Sequence, residues 1–259
     1  MQSLAGKRGL VMGVANERSI AWGIAKAMAE AGAELAFTYQ GDAFGQRLAP
    51  LAASVGSDFM VDADVTDDAS LDAAFDQLAA RWPTIDFVVH AIAYSDKNEL
   101  TGRFVNTSRD NFKNSLDISA YSFIEVARRA HPMMEENGGT LITLTYQGSN
   151  KVTPFYNVMG VAKAALEATT RYLANDLGPD GIRVNAISAG PVATRAASGL
   201  THFEELLNEA AAKSPLRRTI DASEVGKAAL FLASDLSSGV TGEIVHVDAG
   251  FHVDGMIFH

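Results

Sequence analysis

Residues 9–23 read Gly9-Leu10-Val11-Met12-Gly13-Val14-Ala15-Asn16-Glu17-Arg18-Ser19-Ile20-Ala21-Trp22-Gly23. A short apolar run stops at a glycine, small residues follow, and an amphipathic stretch begins at Ile20. This is the layout of a strand that turns into a helix while its backbone stays close to a ligand. Free N–H groups and the helix dipole at such a turn favour a pyrophosphate. The spacing is not Gly-x-Gly-x-x-Gly, because only Gly13 and Gly23 frame the turn. The motif by itself therefore leaves a plain strand-to-helix turn open. Ser19 is placed either to donate to a phosphate oxygen or to cap the helix.

The pattern that begins there continues along the chain. Apolar runs at 9–12, 34–39, 58–61, 87–90, 140–145, 183–187 and 244–247 alternate with amphipathic stretches at 20–31, 70–81, 122–136, 158–177 and 222–234. Near-continuous apolar strands separated by helices mean βαβ units and a parallel sheet covered on both faces. The expected fold is α/β: a single-domain, doubly wound Rossmann fold over residues 1–259, with a mainly seven-stranded parallel sheet. The longest irregular stretches, about 92–107 and 189–201, each follow a strand. They are expected at the carboxyl edge of the sheet, where such folds bind ligands.

Composition narrows the function classes. The chain has 259 residues, 47% hydrophobic and 20% charged, with no cysteine, so neither disulfides nor thiolate chemistry are available. A net charge of −10 argues against nonspecific binding to nucleic acid or to an anionic membrane. No apolar run approaches 18 residues and no signal-peptide layout is visible, which predicts a cytoplasmic protein. The six histidines lack metal-ligand spacing. His90 and His246 read as core or turn residues.

Three further segments suggest a nicotinamide cofactor. The second strand ends at Gln40, where the adenosine ribose usually lies in this fold. A neutral Gln40, with Asp42 nearby and no basic residue from 34 to 46, favours NADH over NADPH. After the third strand, Asp64 and Val65 are placed to bind the adenine amino group and cover the ring, while Asp67 or Asp68 opens the next helix as its cap. Further on, Tyr156 and Lys163 lie seven positions apart, with Tyr146 upstream. Read as helical spacing, this puts the phenol and the ammonium on nearly one face, two turns apart.

Taken together, these residues resemble the bacterial NADH-dependent enoyl-acyl carrier protein reductases, a divergent branch of the short-chain dehydrogenase/reductase family. The resemblance rests on Tyr146 with Tyr156-x6-Lys163, Ser19-Ile20-Ala21-Trp22-Gly23, Asn157-Val158-Met159-Gly160 and Asn185-Ala186-Ile187-Ser188-Ala189-Gly190-Pro191. It implies catalytic roles for Tyr146, Tyr156 and Lys163. It implies NADH contacts at Gly13, Ser19, Ile20, Gln40, Asp64, Val65, Ile92, Lys163, Val192, Ala193, Thr194, Arg195 and Ala196. It implies a substrate pocket lined by Ala93, Tyr94, Ser95, Leu100, Met159, Leu200 and Phe203, with a substrate-binding helical segment at about 192–214. The implied partner is an acyl carrier protein bearing the enoyl substrate, and the implied assembly is a homotetramer. No metal is required. Two features depart from many relatives. Ala93 and Tyr94 narrow or polarise the pocket wall. Glu204 and Glu205 make the substrate helix acidic where several relatives are basic, leaving Arg195, Lys213, Arg217 and Arg218 as the flanking cations. Two other readings are an ordinary carbonyl or alcohol oxidoreductase, which would want Tyr-x3-Lys where this chain has Gly160, and a non-catalytic NAD-binding regulator.

Overall fold

A computed structural model of the protein describes residues 4–193 and 203–253. Seven strands form one sheet: β1 (Arg8–Met12), β2 (Glu34–Tyr39), β3 (Phe59–Asp62), β4 (Phe87–His90), β5 (Gly139–Thr145), β6 (Ile182–Ala189) and β7 (Ile244–Val247). Their order is β3-β2-β1-β4-β5-β6-β7, and every neighbouring pair is parallel. The expected doubly wound fold is therefore present. The strand order reverses between β1 and β4, so their carboxyl ends open the crevice in which this architecture binds ligands.

Helices cover both faces: α1 (Ile20–Glu30), α2 (Asp42–Ser54), α3 (Asp68–Arg81), α4 (Arg109–Leu116), α5 (Ser122–Ala130), α6 (Val158–Leu177), α7 (Phe203–Lys213) and α8 (Ala222–Ala233). Two buried clusters lie on opposite sides of the sheet. Leu71, Phe123, Val126 and Leu166 belong to one, and Ile24, Met28, Val225 and Leu232 to the other. Burying such side chains on both faces is what makes the strands read as unbroken apolar runs.

Some boundaries move for local reasons. Asp67 caps α3, accepting from the N–H groups of Ala69 and Ser70, so that helix starts earlier than its apolar pattern. The stretch expected at 122–136 ends as an α-helix at Ala130, because Pro132 lies in a 3-10 turn that follows. Tyr156 is not on the helix at all. α6 begins at Val158, and Asn157 precedes it with φ 36° and ψ −121°. The two-turn helical spacing of Tyr156 and Lys163 is therefore replaced by a turn followed by a helix.

Candidate active site

Gly13 ends β1 with φ +91°, and a Cβ there would stand 2.1 Å from the Ala91 carbonyl oxygen at the end of β4. Only glycine lets the two strand ends approach this closely with that backbone. Beyond it, Asn16 organises the turn: its Oδ1 accepts from the Arg18 N–H, and its carbonyl accepts from the Ser19 hydroxyl. Ser19 occupies the helix N-cap position, but its hydroxyl makes no cap bond. The first N–H groups of α1 are thus left for an external acceptor. A cavity of about 270 Å³ runs from Gly13 past Gln40, Asp64 and Val65, and a second of about 600 Å³ runs from Gly13 past Ser19 and Ile20 to Tyr146, Tyr156 and Lys163. Gly13, Ala15, Ala91, Ile92 and Ala93 line both, so they form one cleft across the switch point. An elongated dinucleotide fits this shape, with its phosphates at the glycine cradle.

At the adenosine end, Gln40 Nε2 donates to Asp64 Oδ2 at 2.8 Å, and the Thr66 N–H and hydroxyl both donate to Asp64 Oδ1. These bonds hold the Asp64 carboxyl below its usual range despite the opposing effect of burial, which is the largest single influence. The site is therefore anionic and disfavours a phosphate there. Arg47, just past the stretch without basic residues, stacks over the Phe44 ring at 5.7 Å, and Phe44 lines this same end.

At the other end, the Tyr146 and Tyr156 rings meet edge to face, with centroids 5.1 Å apart. Tyr156 is set by its backbone. Phe155 and Asn157 on either side of it both have positive φ, 60° and 36°, which is strained for non-glycine residues. The Asn157 side-chain amide holds the turn by donating to the carbonyls of Glu99 and Gly102. The Tyr156 ring rests on Gly148, where a Cβ would come within 2.5 Å of it. The structure also explains why no lysine stands at the fourth place after Tyr156: a Cβ on Gly160 would lie 2.6 Å from the Gly148 carbonyl oxygen. Lys163, one turn on, is buried and donates to the Leu144 carbonyl oxygen at 2.7 Å.

The electrostatics suit these groups to different tasks. Tyr156 is half-buried and lines the cavity, and burial raises its pKa, with Tyr146 and Glu167 adding to the effect. It stays protonated and can donate throughout the working pH range. Burial also raises Tyr146, which Gln147 and Thr153 only partly offset; no well-formed bond satisfies its buried hydroxyl. Burial brings Lys163 down to about 8, opposed by the charge of Glu167, a carboxylate held by the Thr145 hydroxyl at 2.7 Å. His90 is fully buried between Thr143 and Ser122. Burial and the nearby Lys163 charge bring it to about 3, so it is a neutral core residue. His246 stacks on His252, which pairs with Asp248. Among the described residues, no group of His, Asp and Glu is arranged to hold a metal ion.

A pH dependence of cofactor affinity is expected from the Lys163 environment. If its ammonium holds a ribose, NADH affinity for the free enzyme is expected to be constant below pH 7. It should weaken as pH rises through about 8, where the proton is lost. Lys163→Arg should remove that onset, since a guanidinium does not titrate there. Titrating Kd by nucleotide fluorescence from pH 6 to 10 checks this.

The model of the enoyl-(acyl carrier protein) reductase family matches residues 13–252. The chain belongs to the enoyl-(acyl carrier protein) reductase family. It is 62% identical to enoyl-[acyl-carrier-protein] reductase [NADH] 1 of Rhizobium meliloti (strain 1021), over 97% of this chain and 92% of that protein. The Anaplasma phagocytophilum enoyl-(acyl-carrier-protein) reductase, solved in complex with NAD, is 55% identical with a TM-score of 0.95, over 98% of this chain and 96% of that one. The Bacillus cereus enoyl-acyl carrier protein reductase, solved with NADP+ and indole naphthyridinone, is 50% identical with a TM-score of 0.97, over 99% and 100%.

Among the residues that the enoyl reductase resemblance singles out, the cleft brings together Gly13, Ser19, Ile20, Gln40, Asp64, Val65, Ile92, Ala93, Tyr146, Tyr156, Met159, Lys163 and Val192. Three go elsewhere. Tyr94 lines the adenosine end rather than the chamber of the tyrosine pair. Ser95 is tied to Asn111 and Ser115, and Leu100 packs in a small core with Val158 and Met159; neither lines the cleft. Ala193 is exposed and outside both cavities. Thr194, Arg195, Ala196 and Leu200 lie outside the described residues, as does the Phe203 side chain. Glu205, expected on the substrate helix, lines the larger cavity from α7, and beside it stand Leu206 and Glu209, which sequence reasoning missed. It also missed Glu167, though its place four residues after Lys163 is a readable helical spacing.

Proposed function

We propose that the chain is an NADH-dependent enoyl-acyl carrier protein reductase that saturates the trans-2 double bond of enoyl thioesters in fatty-acid elongation. The observation that carries this is the meeting of Tyr146, Tyr156 and Lys163 in one chamber continuous with the nucleotide cleft. When bound, NADH supplies the hydride for C3 of the substrate. The negative charge then gathers on the thioester oxygen, and the protonated Tyr156 donates to it. That interaction is stronger in the transition state than in the ground state. Lys163 holds the nicotinamide ribose and adds positive charge beside the enolate. Tyr146 buttresses the Tyr156 ring and orients the thioester. Met159 and Ala93 bound the acyl chamber. The enzyme works in the cytoplasm as a homotetramer, and no helix among the described residues is long and apolar enough to cross a membrane.

Steady-state kinetics with crotonyl thioesters and a panel of ketones, each with NADH and NADPH, test the proposal. Turnover of the thioesters alone supports it. Ketone reduction without thioester reduction would replace it with carbonyl chemistry, and binding without either would make the chain a regulator.

NADH is expected to give the higher kcat/KM, because the Gln40–Asp64 pair leaves an anionic rim where a 2′-phosphate would sit. Gln40→Arg should move the ratio towards NADPH by roughly tenfold or more, the worth of about one charge-assisted hydrogen bond. Equal kcat/KM for the two cofactors in the wild type would contradict this account.

A further inference from the structure

An enzyme with net charge −10 that must receive an anionic carrier needs a local positive face on which to collect it. The thioester arm of an acyl carrier itself bears a phosphodiester, so this need holds for any such donor. The larger cavity is bounded in part by α7. There α7 contributes Glu205 and Glu209, and the helix as a whole carries three glutamates against one lysine. The cations flanking it within the described residues are already spent. Lys213 pairs with Glu209, Arg218 is held by both oxygens of Glu224, and Arg217 donates to the carbonyls of Ala212 and Ser214. Lys213 offsets one of the three glutamates of α7, which leaves the helix's own residues net negative.

The segment 97–113 lies beyond the cavity wall, behind the turn that carries Tyr156. It is fastened to the catalytic turn: Asn157, next to Tyr156, donates to the carbonyls of Glu99 and Gly102, and Leu100 packs on Val158 and Met159. This segment carries Lys97, Arg103, Arg109 and Lys113 against Glu99 and Asp110. All four cations are exposed, and among the described residues none forms an ion pair. Glu99 is bonded to the Ser108 N–H and hydroxyl and to Asn111, which keeps its carboxyl ionised, so the segment carries four cations against two carboxylates. Phe104 and Val105 stand exposed between the cations, at 49% and 74%. Unpaired cations around exposed apolar side chains, at the edge of the turn that holds Tyr156, form a surface complementary to an acidic amphipathic protein.

We infer that the acidic acyl carrier docks on the 97–113 segment, centred on Lys97 and Arg103, and feeds its thioester past the Asn157 turn rather than across α7. The inference rests on the enoyl-reductase reading. Its test compares KM for the crotonyl thioester of acyl carrier protein with KM for the neutral crotonyl N-acetylcysteamine thioester, in the wild type and in K97E/R103E, at low and high salt. The carrier KM is expected to rise about tenfold or more in the variant, with the N-acetylcysteamine KM and kcat within twofold of the wild type. Salt should raise the wild-type carrier KM towards that of the variant. The neutral pair K97Q/R103Q should give an intermediate KM, and it serves alone if the reversed pair does not fold. A carrier KM unchanged in either variant, with normal turnover of the neutral thioester, would overturn the docking site. Failure of the wild type to reduce either thioester would overturn the reductase reading instead.

Discussion

Tyr156→Phe is expected to lower kcat by about 10² while leaving NADH affinity within twofold of the wild type. The hydroxyl is the one donor that the strained turn aims into the chamber, and loss of such a donor typically costs about 10²–10³ in kcat. The lower end is expected because Tyr146 or water can partly replace it. The ring remains on Gly148 and against Tyr146, so the fold and the nucleotide end should be undisturbed. Because the two tyrosines touch and share one chamber, Tyr146→Phe combined with Tyr156→Phe should cost less than the sum of the single losses in log kcat/KM. Strict additivity would mean that they act independently. Wild-type turnover in Tyr156→Phe would place the donor elsewhere, with Tyr146 the first group to try.

Lys163→Ala is expected to weaken NADH binding and turnover together. Hydrogen bonds to charged groups are worth about 1.5–3 kcal/mol, or roughly 10–150-fold in Kd. Truncation also leaves the Leu144 carbonyl without the ammonium that it accepts from. Lys163→Arg should keep the charge and recover part of the affinity. Calorimetric titration with NADH decides it: an unchanged Kd in Lys163→Ala would remove the ribose role, and a fall in affinity with normal kcat would confine Lys163 to binding.

The sheet was readable because both its faces are buried. β2, β4 and β7 begin and end where their apolar runs do, and so does α6, whose long apolar face packs on the sheet. α4 was not among the amphipathic stretches, since Arg-Asp-Asn-Phe-Lys-Asn-Ser-Leu buries Asn111 and Ser115 instead of apolar groups. The residues of the site were readable as chemistry, but their arrangement was not. Nothing in the letters Phe-Tyr-Asn announces two positive φ angles around Tyr156, because that strain is held by remote partners: the carbonyls of Glu99 and Gly102 and the bare backbone of Gly148. Ser95 and Leu100 went to a polar knot and a side core for the same reason, as segment 97–113 folds back on the turn that carries Tyr156. The relation of charge to place was also hidden. Lys213, Arg217 and Arg218 look like free cations in the sequence and are tied up in the fold.

If Tyr156 and Lys163 serve hydride delivery to carbon, negative charge collects on the thioester oxygen and the hydride ends at C3. NADH deuterated at both C4 positions, turned over with a crotonyl thioester and analysed by mass spectrometry and NMR, reports the destination of the hydride directly. The account predicts one deuterium at C3 of a saturated butyryl thioester and a solvent proton at C2. Deuterium on a carbonyl carbon, giving an alcohol with the double bond intact, would contradict it.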